Sequence, residues 1–186
     1  MKKILLTLLV VAALTPISRT ADAKLFEVWG SAGLGTLQGS GKFHEAAKGG
    51  ALGLEVGARI LILSAYIDYV RSFGGDVGAN LVGFNLGGDT TFGLAGGLEL
   101  VLRLAGTFYV GSLGGDEVPI HNVGAGFRGG IGLRWVFLKF FSIGITPTVG
   151  YHWFFSGGAT VAGIEPETEG GWDLIALGYF RVGLGI

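Results

Sequence analysis

A period-two alternation of large apolar and small residues, repeated along much of the chain, most narrows what this sequence can fold into. From Leu52 the even positions read Leu52, Leu54, Val56, Ala58, Ile60 and Ile62, and the odd ones Gly53, Glu55, Gly57, Arg59 and Leu61. The pattern recurs through Leu94, Gly96, Leu98, Leu100 and Leu102 against Gly93, Ala95, Gly97, Glu99 and Val101. It recurs again through Phe127, Ile131, Leu133 and Trp135 against Gly126, Arg128, Gly130, Gly132 and Arg134. Residues two apart share one face of a strand, so each segment has a bulky apolar face and a small face that carries the charges. In water the bulky face would be an apolar patch far larger than a monomer tolerates. Against lipid it is what is needed, provided the sheet closes and satisfies every backbone hydrogen bond.

The other membrane solution is excluded. The mature chain has no uninterrupted apolar stretch of about 18 residues, so it holds no transmembrane helix. Alternation predicts eight strands, at Leu25–Leu37, Ala51–Leu63, Ala65–Phe73, Thr91–Arg103, Ala105–Ser112, Gly124–Phe137, Phe140–Trp153 and Trp172–Ile186. Short connections, around Ser64, Leu104 and Lys139, alternate with long ones at Gln38–Gly50, Gly74–Thr90, Leu113–Val123 and Phe154–Gly171. Short turns at one end and long loops at the other belong to an eight-stranded antiparallel up-and-down transmembrane β-barrel. A soluble lipocalin-type barrel would place the faces oppositely, and an eight-strand interior has too little room for the bulky set. Pro147 falls mid-strand, where its missing N–H predicts a bulge or kink.

Ahead of the strands, Met1-Lys2-Lys3 precedes an apolar run from Ile4 to Leu14, then Pro16 and Ala21-Asp22-Ala23. A basic segment, a short apolar core and an A-x-A-like site form a secretory signal peptide over residues 1–23, leaving residues 24–186 as one barrel domain. Removing it leaves a formal charge of −3. With only 15% charged residues the chain does not read as disordered or nucleic-acid-binding. With no cysteine it holds neither disulfides nor a catalytic thiol.

On these features residues 24–186 resemble the small eight-stranded outer-membrane proteins of OmpA/OmpX type. The ending Tyr179-Phe180-Arg181-Val182-Gly183-Leu184-Gly185-Ile186 is similar to the alternating C-terminal strand that barrel-assembly machinery recognises, although that family usually ends in Phe or Trp. The resemblance implies a bacterial outer-membrane location, outer-membrane lipid and lipopolysaccharide as neighbours, and a monomer. No peptidoglycan-binding domain is expected after the barrel, so no tethering role is implied.

Strand parity sends Glu27, Glu55, Asp68, Glu99 and Asp173 into the lumen together with Arg59, Arg103, Arg128, Arg134 and Arg181. Buried ions cost several kcal/mol each unless paired, so a balanced set predicts an internal ion-pair network that plugs the lumen. Counting along the strands puts Glu27, Arg59, Asp68, Glu99, Arg103, Arg134 and Arg181 in the periplasmic half, with Glu55, Arg128, His152 and Asp173 above them. The bulky face supplies aromatic girdles, with Phe26, Trp135, Phe137, Phe140 and Phe141 near the periplasmic rim. Tyr69, Phe73, Tyr151, Trp153 and Trp172 mark the outer one.

The long loops carry Glu45, Asp76, Asp89, Asp116, Glu117, Glu165, Glu167 and Glu169 against Lys42 and Lys48, an acidic cell-surface end. Some eight-strand barrels remodel lipid A, and two histidine groups are the candidates for such chemistry: His44 with Ser40 and Asp76, and His152 with Ser156. Neither has a spacing that fixes a nucleophile against its base, and the His-x-Ser arrangement of the deacylases is absent. The sequence therefore predicts no enzyme, no cofactor, no metal and no nucleic-acid partner. It predicts a structural or surface-interaction scaffold, with a narrow passive channel as the alternative and a lipid-A-modifying enzyme third.

Overall fold

Nine strands form in the computed structural model, which describes residues 25–41, 44, 47–73, 78–114, 120–155 and 169–185. They are β1 (Phe26–Gly39), β2 (Gly49–Ile60), β3 (Leu63–Phe73), β4 (Gly78–Gly93), β5 (Leu98–Gly114), β6 (Ile120–Leu138), β7 (Phe141–Ile145), β8 (Thr148–Phe155) and β9 (Glu169–Gly185). The expected signal peptide lies outside the described residues. Among the described residues no helix is long and apolar enough to cross a membrane, which says nothing of strands.

Chain neighbours pair antiparallel from β1 through β7 and again at β8 and β9, and β1 also pairs with β9, from Glu27↔Gly185 to Gly39↔Asp173. That pairing closes the sheet into a ring, so neither terminal strand offers a long free edge. β7 and β8 both lie between β6 and β9. They are two halves of one path, which gives nine segments in eight positions around the ring.

Pro147 separates those halves, as its missing N–H requires. The expected bulge is not there. Leu133↔Ile145 and Gly130↔Thr148 lie on one continuous register, and the register shift falls instead between Val136 and Leu138.

The second expected hairpin is also corrected. Thr91–Arg103 is not one strand: β4 ends at Gly93, the chain turns at 94–97, and β5 runs through Leu104 without a break. Gly96 and Gly97 hold φ of 61° and 83°, left-handed values that glycine adopts at little cost, and this reverses the chain. Leu94 and Gly96 continue the apolar alternation by coincidence. Most of the expected loop Gly74–Thr90 is therefore strand β4. The first short turn likewise lies at 61–62, so Ser64 is a buried strand residue of β3.

Faces alternate as parity requires. Val56, Leu86, Leu104 and Ile131 point outward with 69%, 71%, 67% and 64% of their surface exposed. Among the described strand side chains the outward face bears one charge, Arg71, two residues from the end of β3. The inward face is larger than small-residue packing predicts. Trp29, Tyr66, Tyr109 and Phe154 are all buried inside, and Leu37, Val70, Leu81, Tyr109, Phe154 and Ile175 form an apolar cluster closed over by Ala47 of the β1–β2 connection.

Candidate functional site

Six inward charges form one continuous chain of alternating sign. Arg181 Nη2 is 3.1 Å from Glu27 Oε1, and Glu27 Oε2 is 2.8 Å from Arg59 Nη2. Arg59 Nη1 lies 3.5 Å from Asp89 Oδ1, and Asp89 Oδ2 accepts from Arg103 Nη2 at 2.8 Å. Arg103 then grips Glu55 with both terminal nitrogens, at 2.5 and 3.1 Å. Every member sits on the lumen face because strand parity places it there, and the links run both between adjacent strands and across the lumen, from Arg59 of β2 to Asp89 of β4 and from Arg103 of β5 to Glu55 of β2.

Aromatic rings back the guanidinium groups. Arg181 lies over Trp29 at 4.3 Å, Arg103 over Tyr66 at 4.4 Å, and Arg128 over Tyr109 at 5.0 Å. A desolvated cation over an aromatic face gains about 2 kcal/mol, which offsets part of the burial cost. Trp29 does double duty, since its indole Nε1–H donates to Glu55 Oε1 at 2.6 Å.

Two further groups complete the interior. Arg134 donates to Glu99 Oε2 through Nε and Nη2, at 2.9 and 2.6 Å. Arg128 donates to Asp68 Oδ2 at 2.7 Å, while Asn85 donates to Asp68 Oδ1 at 2.6 Å and Thr107 donates to Asn85 at 2.7 Å. All ten sequence-derived lumen charges thus join ion pairs.

Their expected heights need correction. Glu55 and Asp68 are register partners and so stand level, yet Glu55 belongs to the Arg103 chain and Asp68 to the Arg128 group. Arginine reach, rather than position along the strand, decides which group each joins. Asp89 is also misplaced by the sequence: it is 1% exposed and bridges Arg59 to Arg103 instead of lying in an outer loop. The Gly96-Gly97 pair was the available signal, because a turn there puts Asp89 in a strand and, by parity, inside.

At the long-loop end, Arg128 Nη2 also stands 4.0 Å from Asp173 Oδ2. Asp173 meets two histidines that the sequence assigned to separate groups. His152 Nε2 touches Asp173 Oδ2 from β8, and His44 Nε2 lies 3.6 Å from the same oxygen. All three side chains are fully buried. Burial holds the His44 imidazole down at about 4, outweighing the nearby Asp173 carboxylate, so it is neutral at pH 7.

The girdle residues Phe26, Phe73, Trp135, Phe137, Phe140, Tyr151, Trp153 and Trp172 all point outward and are at least partly exposed. Phe141 and Tyr69 are half-buried, Tyr69 donating to Asn80 at 2.7 Å. Of the loop residues, Lys42, Glu45, Asp76, Asp116, Glu117, Ser156, Glu165 and Glu167 lie outside the described residues, as does the side chain of Glu169. Neither expected histidine group is therefore complete among the described residues.

No protein-family model matches this chain, and no curated protein sequence does. Among solved structures, the crystal structure of Neisserial surface protein A (NspA) superposes with a TM-score of 0.54 over 84% of this chain and 96% of that one. The two share a fold. Sequence identity is 16%, so the likeness concerns the small β-barrel architecture.

Proposed function

We propose that this chain is an integral outer-membrane β-barrel, exported by its N-terminal 23 residues, that catalyses nothing and acts as a structural or surface-interaction scaffold with a closed lumen. The observation that carries this reading is the separation of charge from apolar surface. Five arginines and six carboxylates are held in ion pairs inside the ring, while the described outer strand face carries no charge except Arg71 and is mostly apolar. Such a face is at home in lipid, and the paired charges leave little net field to carry an ion through. Phospholipid and lipopolysaccharide are its neighbours, barrel-assembly machinery reads β9, the chain works as a monomer, and the acidic long loops face outward.

A second reading rests on one feature. Between the Arg103 chain and the Arg128 group lies a cavity lined by Glu55, Asp68, Arg103 and Arg128 and also by the apolar Val70, Ile175 and Leu177. Joined to both ends, it would make a narrow channel.

Single-channel recording in planar bilayers decides between them, using protein whose gel mobility differs between boiled and unboiled samples. Silence from inserted protein is the expected result; reproducible conductance steps would overturn the closed lumen and establish the channel. Lipid A from cells with and without the protein should give identical mass spectra, and an acyl chain gained or lost would overturn the non-enzymatic reading.

A further inference from the structure

At the long-loop end of the ring three metal-ligating side chains converge from three parts of the chain. His44 comes from the β1–β2 connection, His152 from β8 and Asp173 from β9. Their ligand atoms lie within 4.8 Å of one another, and all three residues are buried. We propose that His44, His152 and Asp173 bind a divalent first-row transition-metal ion of the Zn²⁺ class, stapling the β1–β2 connection to β8 and β9.

Two imidazoles and one carboxylate are a donor set that suits zinc, with water as the fourth ligand, and suits calcium or magnesium poorly. Independent observations point the same way. Asp173 Oδ1 and His152 Nδ1 are buried without a hydrogen-bond partner among the described residues. A buried carboxylate so placed wants a cation, and Arg128 at 4.0 Å is drawn mainly to Asp68 at 2.7 Å. The room is also built in. A Cβ at Gly126 would come within 2.5 Å of His152 Nδ1, and one at Gly150 within 3.0 Å of Asp173 Oδ2. Glycine at both positions leaves the space that the His152 imidazole occupies beside Asp173.

The test uses folded, chelator-treated protein purified without an affinity tag, titrated with Zn²⁺ alone. One equivalent should bind, and excess Ca²⁺ or Mg²⁺ should not displace it. With Cu²⁺ as a spectroscopic substitute, electron paramagnetic resonance should show two coupled imidazole nitrogens. His44→Gln should leave one and weaken Zn²⁺ binding by more than about tenfold, the lower end of what losing even an outer-shell partner costs. His152→Gln should do the same where the heat-dependent gel shift shows it folded; His44 lies off the strands, so its variant serves if His152→Gln fails to fold. His121→Gln, altering the third histidine of the sequence, should change nothing. Absence of Zn²⁺ binding to the unaltered protein would overturn the site. So would binding indifferent to both ligand substitutions, or binding lost on His121→Gln.

Discussion

Arg103 Nη2 stands 2.8 Å from Asp89 Oδ2, and this contact joins the Glu55 end of the lumen chain to the Arg59–Glu27–Arg181 end. Asp89→Asn leaves Arg59 and Arg103 short of a counter-charge in a water-poor interior. We expect it to cost about 3 kcal/mol, the lower end for breaking a buried pair. Urea unfolding in phospholipid vesicles measures this. Adding Arg103→Met to Asp89→Asn should cost less than the two single losses combined, because the Asp89–Arg103 contact that each single change breaks is then lost only once.

Trp29 faces the lumen, whereas Trp135, Trp153 and Trp172 face outward. Brominated acyl chains should quench the outward three and spare Trp29. Trp29→Phe should therefore abolish the unquenched fraction of the emission. It should also cost about 1–2 kcal/mol, since the Glu55 carboxylate loses the indole N–H while the ring contact with Arg181 is kept.

Leu104 lies mid-strand on the outward face. If that face meets lipid, Leu104→Arg should destabilise the protein in vesicles by about 2–4 kcal/mol, as an arginine at the bilayer midplane does. A change within about 0.5 kcal/mol, the usual size for a water-exposed site, would contradict the lipid-facing assignment.

Gly97 combines a φ of 83° with tight quarters, since a Cβ there would meet the Val136 carbonyl oxygen at 2.5 Å. The Val136 N–H donates to the Gly97 carbonyl at 2.8 Å, so the turn is also tied to β6. Gly97→Ala should cost more than about 1 kcal/mol, the usual penalty for placing a side chain in left-handed backbone. Gly96→Ala, with open space around its Cβ, should cost less. Parallel urea titrations of the two variants give the order.

The sequence by itself determined the strand character of the chain and which face of each strand carries charge. Alternation at Leu52–Ile62 and Phe127–Trp135 is local information, and a strand cannot bury Arg59 or Arg134 without exposing its neighbours on the other face. It was less able to locate turns. Apolar alternation ran on through Leu94 and Gly96, and the misplaced turn carried Asp89 into a loop. Partner choice was out of its reach. Parity puts Glu55 and Asp68 in one lumen, but whether each meets Arg103 or Arg128 depends on strand register across the closed ring and on the reach of long side chains. The same closure brings His44, His152 and Asp173 together. Position 44 precedes β2 and position 173 lies in β9, so no spacing rule connects them. They meet because β1 pairs with β9 and sets Gly39 opposite Asp173, a contact that exists only once the ends of the sheet have found each other.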